Sequence, residues 1–150
     1  MVDSDGNELI CLFHKFHKLK YLDTISKLSK VEFMILNKIM RMKEKGEVEP
    51  KITISNMAKF LSTTNPAASK MLSVMEDKGY IKRINDQEDK RVTYVTLTNE
   101  GEKIIVEAHK SFHEFSKTVI QKMGKQDLND FVELFQKLLT IIEEEIKERG

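Results

Sequence analysis

Five side chains between positions 64 and 73, Thr64, Asn65, Ser69, Lys70 and Ser73, carry the donors and acceptors that can meet base edges and phosphates. Their spacing sets them opposite Met71, Leu72 and Met75, so one helix would present them together, and Ala67 and Ala68 would let its backbone lie close in a major groove. Lys70 suits guanine or a phosphate. Further along, Asp89-Lys90-Arg91 offers a second basic cluster. Arg91 is shaped for a narrow A·T-rich minor groove, where negative potential concentrates, and Asp89, two residues earlier, is placed to accept from its guanidinium and hold the fork rigid. The bland alternatives are a solvated helix face with capping residues at its start, and a surface ion pair contributing less than about 1 kcal/mol.

Other chemistry is thinner. The four histidines fall into two helical pairs, His14 with His17 and His109 with His113, and either spacing puts two imidazoles on one face, as zinc ligation needs. Surface or pocket-lining histidines are the competing reading. Cys11 is the single cysteine, which excludes an intramolecular disulfide, fits a reducing cytoplasm and reads as a buried, inert thiol. There is no Gly-rich phosphate loop, no His-Glu-x-x-His and no Ser or Cys nucleophile with a recognisable elbow, so neither an enzyme nor a resident cofactor is expected.

The elements that would hold these residues can be read from periodicity and punctuation. Ile54 to Gly79 supplies two short helical patterns, about Ile54 to Leu61 and Pro66 to Lys78, separated by Ser62-Thr63-Thr64-Asn65-Pro66, as in a helix-turn-helix. Strands near Tyr80 to Ile84 and Val92 to Leu97 flank a charged tip, Asn85 to Arg91, and make a hairpin. Upstream, Leu9, Leu12, Phe13, Phe16 and Leu19 share one face of a first helix, about Glu8 to Tyr21. Ser29-Lys30-Val31-Glu32 is a capping box opening a second helix that stops near Gly46, and a loop with Pro50 then leads through extended Ile52-Thr53. Thr98 caps a long fifth helix to about Met123, with Ile104, Ala108, Phe112, Phe115 and Val119 as its expected buried stripe. Gly124 breaks it. The sixth helix, about Gln126 to Arg149, is apolar over an arc too wide for its own domain to cover, which argues for a partner subunit.

The fold expected is mainly α with a small β-hairpin wing: a winged helix-turn-helix, residues 52–98, flanked by N- and C-terminal dimerisation helices, 8–24 and 124–149, in one domain of 150 residues. Net charge is only +1, but residues 51–97 carry eight Lys or Arg against five Asp or Glu, whereas residues 125–150 carry four against seven. The basic end coincides with the reading elements. Apolar runs are too short for a membrane span, and Asp3, Asp5 and Glu8 stand where a secretory leader would be basic, so a cytoplasmic location without membrane attachment is expected.

These residues resemble the MarR family of bacterial transcription regulators over nearly the whole chain. The family's wing reads Asp-x-Arg, three residues, then Val-x-Leu-Thr-x-x-Gly, and Asp89, Arg91, Val95, Leu97, Thr98 and Gly101 stand in register. Met57-Ala58, Leu61, Lys70, Met75-Glu76 and Lys78-Gly79 match its helix-turn-helix, and Pro66 departs from it. The resemblance implies a homodimer on a palindromic operator in double-stranded DNA, most often a repressor, released by a small-molecule effector. The effector site would lie between the dimer helices and the DNA-binding lobe, with Phe13, His17, Met34, His109 and Phe112 as candidate lining residues. A zinc-sensing branch implies Glu32, His109 and His113 as metal candidates, but Phe33 replaces its neighbouring His and no Cys stands just before the second helix. A peroxide-sensing branch fits less well, since Lys15 stands where a Tyr would hold the reactive Cys. A winged helix that binds a protein partner is the alternative from another functional class.

Overall fold

The computed structural model describes residues 4–150; Asp3, one of the acidic residues that argue against a leader, lies outside them, as does the side chain of Asp5. The chain divides into two compact units, one ending at Phe112 and the other running His113–Gly150.

The first unit contains α1 (Ser4–Lys18), α2 (Tyr21–Ile25), α3 (Lys30–Glu44), β1 (Ile52–Thr53), α4 (Ile54–Phe60), α5 (Asn65–Asp77), β2 (Ile81–Asn85), β3 (Thr93–Leu97) and the start of α6 (Asn99–Met123). The three strands form an antiparallel sheet in the order β1-β3-β2, with Ile52 opposite Val95 and Ile81 opposite Leu97. Period-two alternation turns Ile81, Val95 and Leu97 inward. There they join Leu28, Ile35, Leu36, Ile39, Met57, Leu72, Met75 and Ile105 in one apolar cluster. The extended Ile52-Thr53 segment thus becomes a third strand of the wing sheet.

Local capping sets the helix starts. Ser29 accepts from the Glu32 amide at 3.3 Å while the Glu32 carboxylate accepts from the Ser29 amide at 2.8 Å, the reciprocal box expected from sequence. Thr53 Oγ1 takes the Asn56 amide at 3.1 Å and opens α4. Thr64 Oγ1 takes the Ala67 amide at 3.3 Å and opens α5, whose first turn contains Pro66, a place where a missing N–H costs nothing. Between these helices Ser62 has a φ of 52°, the left-handed conformation usually given to glycine. The chain reverses there because Ser62 N–H donates to the Lys59 carbonyl at 3.1 Å and Thr63 N–H to the Ala58 carbonyl at 3.0 Å. Gly79, φ 75°, closes α5 the same way, with Tyr80 N–H donating to the Met75 carbonyl at 3.0 Å.

Two expectations change. The first helix ends at Lys18, not Tyr21, and Tyr21–Ile25 is a separate turn, because Lys20 leaves helical geometry with a ψ of 45°. The break lets Leu22 bury and sets the Tyr21 ring 6.4 Å from both Phe16 and Phe112. The expected buried stripe of the fifth helix, here α6, is buried only at its start: Ile104, Ile105 and Ala108 are enclosed, whereas Phe112, Phe115 and Val119 are 39% to 46% exposed. A single chain does not cover them.

The second unit holds the end of α6 and α7 (Lys125–Arg149), separated by Gly124. No residue of α7 is buried. Phe131 and Phe135 stack with ring centres 5.5 Å apart, and Val132, Leu134, Ile141, Ile142 and Ile146 stand exposed along the helix.

Candidate nucleic-acid interface

The five polar residues singled out on α5 separate into two groups. Thr64, Asn65 and Lys70 are exposed. Thr64 also caps the helix, and Asn65 Nδ2 donates to Ser55 Oγ at 3.2 Å, fixing the start of α5 against α4. Ser69 and Ser73 are half-buried and face inward onto Arg83 of β2. Arg83 Nη2 donates to the Ser69 carbonyl at 2.8 Å and to Ser73 Oγ at 3.0 Å. Sequence reasoning missed Arg83, yet a signal was present: strand alternation from buried Ile81 puts it on the inner face of β2.

The wing tip is built from carboxylates bonded to backbone. Asp86 Oδ1 accepts from the amides of Glu88 at 2.9 Å and Asp89 at 3.0 Å, and those bonds, Asp89's first, hold its carboxyl below the ordinary carboxylate range. Asp89 Oδ1 in turn accepts from the Arg91 amide at 3.0 Å. This corrects the expected pairing of Asp89 with the Arg91 guanidinium. Across so tight a turn the nearest donor is the main chain two residues on, as in other Asx turns. Lys90 and Arg91 are exposed. Behind the tip, Lys51 Nζ sits 4.4 Å from the centre of the Tyr94 ring.

The far end of α5 is held from two sides. Lys78 donates to Glu32 Oε1 at 2.5 Å, while Glu32 Oε2 keeps the Ser29 amide. Burial by itself would raise the Glu32 pKa, but the Lys78 bond and the Ser29 contacts outweigh it and hold the carboxyl below its ordinary range; Glu32 in turn raises Lys78. On the other side, Thr98 Oγ1 donates to the Gly79 carbonyl at 2.5 Å and accepts the Gly101 amide at 3.0 Å. A Cβ on Gly101 would fall 1.9 Å from the Tyr80 carbonyl oxygen, so only glycine fits.

Glu32 therefore has both oxygens engaged, which takes the carboxylate from the zinc reading. His109 Nε2 lies 2.8 Å from Asn37 Oδ1, with the Phe33 ring edge-on at 5.6 Å. Among the described residues no group of three or more His, Cys, Asp or Glu could hold a metal ion. Of the effector candidates, Phe13 and His17 line an open cavity of about 330 Å³ with His14 and Phe16. Met34 is half-buried on α3, His109 meets Asn37 and Phe33, and Phe112 faces Tyr21. Cys11, expected to be buried, is exposed. No helix among the described residues is long and apolar enough to cross a membrane.

Comparison with known proteins agrees with this geometry. Residues 28–93 match the model of the MarR family. The chain is 35% identical over 72 residues to the HTH-type transcriptional regulator BilQ of Clostridium symbiosum, covering 48% of this chain and 49% of that one. The chain spans about half the length of the curated relatives it matches. Among solved structures, a MepR mutant from S. aureus superposes with a TM-score of 0.70 at 21% identity, covering 95% of this chain and 99% of that one. A mutant MarR from E. coli complexed with operator DNA gives 0.68 at 22%, covering 93% and 99%. At such identities the structural likeness speaks to the fold. Residues 28–93 thus match the MarR family, and the chain around them has the winged-helix fold of these solved structures.

Proposed function

We propose that this chain is a regulator of transcription, not an enzyme, and that it grips duplex DNA as a homodimer in the cytoplasm. One observation carries the reading: α5 exposes Thr64, Asn65 and Lys70, and the hairpin that follows it exposes Lys90 and Arg91 on a tip whose backbone is fixed by Asp86 and Asp89. A helix of this kind suits a major groove, and a rigid basic tip suits the adjoining minor groove. A MarR of the same fold is complexed with operator DNA, which supports the same use here.

Dimerisation is supported by the exposed apolar residues of α1 and α7. Two recognition helices related by a two-fold axis would then read half-sites about one helical turn apart. A small molecule that alters the spacing of the two heads would release the DNA, and the aromatic residues Phe16, Tyr21 and Phe112, with the candidates Phe13, His17, Met34 and His109, are where we place it. The test is selection of the full chain on random duplexes followed by footprinting. A pseudo-palindrome with two protected half-sites is the expected result; an unrepeated half-site, or no preferred duplex, would overturn the reading.

A further inference from the structure

Besides the apolar packing, the wing reaches the middle of the recognition helix with a polar side chain, Arg83. Arg83 Nη2 donates to the Ser69 carbonyl at 2.8 Å and Ser73 Oγ at 3.0 Å, and lies 3.4 Å from Ser69 Oγ. Its main-chain N–H donates to Glu76 Oε1 at 3.3 Å, and its Nε lies 3.7 Å from Glu76 Oε2. Ser69, Ser73 and Glu76 stand at i, i+4 and i+7, a single strip on the inner side of α5. The Arg83 side chain is only 27% exposed, and Nε is enclosed without a hydrogen-bond partner.

Apolar packing between the sheet and α5 is non-directional: it sets how close they lie but leaves their relative angle loosely fixed. A guanidinium is a planar fork with its donors in fixed directions, so two bonds to one helix face set that angle. We propose that Arg83 is a positioning residue that locks the recognition helix to the wing, so that groove contacts by α5 and by the tip are made in one register. This rests on the DNA-binding reading and adds to it the part that makes binding sequence-selective. Nη2 is bonded within the protein and Nε is enclosed, so these donors serve the brace and not a phosphate.

The experiment compares the full chain with Arg83→Lys, Arg83→Gln and Ser73→Ala, on the selected operator and on a scrambled duplex of equal length, over a range of salt and well below each melting temperature. A lost register behaves like a mismatched base pair, so operator affinity should fall about tenfold in Arg83→Gln and less in the milder variants. Affinity for the scrambled duplex and the salt slope should stay unchanged. A parallel loss on both duplexes, with the slope shallower by about 0.9 in Arg83→Gln, would make Arg83 a phosphate ligand and overturn the proposal. So would a lower melting temperature with an unchanged operator-to-scrambled ratio, the mark of a merely structural arginine. The brace is also read without DNA: Arg83→Gln should speed hydrogen exchange of the α5 amides about tenfold relative to those of α3. Unchanged exchange would overturn the brace on its own, whereas a parent chain that prefers no duplex would count against the DNA-binding reading instead.

Discussion

At the wing tip the Asp89 carboxylate holds the Arg91 amide at 3.0 Å, so its service to Arg91 is rendered through the backbone. Asp89→Asn keeps that acceptor and loses the charge, while Asp89→Ala loses both. We expect operator affinity to fall several-fold in the alanine variant, by about 1 kcal/mol for one net hydrogen bond, and to be largely retained in the asparagine variant. Simple electrostatics predicts a gain for both, because each makes the lobe more basic. Fluorescence anisotropy at fixed salt decides, and an alanine variant that binds better than the parent would reduce the tip to a basic surface. A second residue-scale prediction concerns Glu32, whose carboxyl is held below its unfolded value of about 4.5. A depressed carboxylate contributes stability above the unfolded pKa and loses it as pH falls through the folded one. Glu32→Gln should therefore cost about 1 kcal/mol at neutral pH, a figure reduced for the half-exposed Lys78, and the difference should close as the pH is taken below that range. Urea titrations at several pH values would show a constant gap if Glu32 were merely filling space.

Among the elements, α5 owes its position to neighbours that its own sequence does not announce. The capping box at Ser29 and Glu32, the left-handed stop at Gly79 and the two wing strands were legible, because each is written within a few adjacent residues. Lys78 on Glu32, forty-six residues apart, and Arg83 on Ser69 and Ser73 were not, because side-chain bonds between elements leave no periodic trace. The break after Lys18 was hidden for a related reason: Leu19 continues the apolar spacing, and Lys20 is an ordinary helix residue. The family pattern at Thr98 and Gly101 was recognised as a motif, but its cause is steric and shows only in the packed junction with Tyr80. That junction gives a prediction of reversed sign. Gly→Ala within an exposed helix stabilises by up to about 1 kcal/mol, yet Gly101→Ala should destabilise by about 2–4 kcal/mol, because backbone must move to admit the methyl. Chemical denaturation measures it, and a stabilised variant would mean that the contact yields freely.

For the whole molecule the unresolved account is apolar. Leu12, Phe13 and Phe16 of α1 and Phe131, Leu134 and Ile141 of α7 are all at least 40% exposed, apolar faces of the kind that a second copy covers in a dimer. Leu134→Glu with Ile141→Glu should convert a dimer to monomers in sedimentation and lower operator affinity with it; a parent that sediments as a monomer at micromolar concentration would refute the assembly. A different consequence follows from the two faces of α5. Ser69, Ser73 and Glu76 brace the helix, while Pro66, Lys70 and Val74, one turn apart from each other, lie on its exposed strip. On the proposed DNA-binding reading, scaffold and alphabet are thus written on separate letters of the same thirteen-residue helix. Exchanges on the outer strip should change folding stability by no more than about 0.5 kcal/mol, so a lineage carrying this chain can drift from one operator to another by single substitutions without passing through unfolded intermediates.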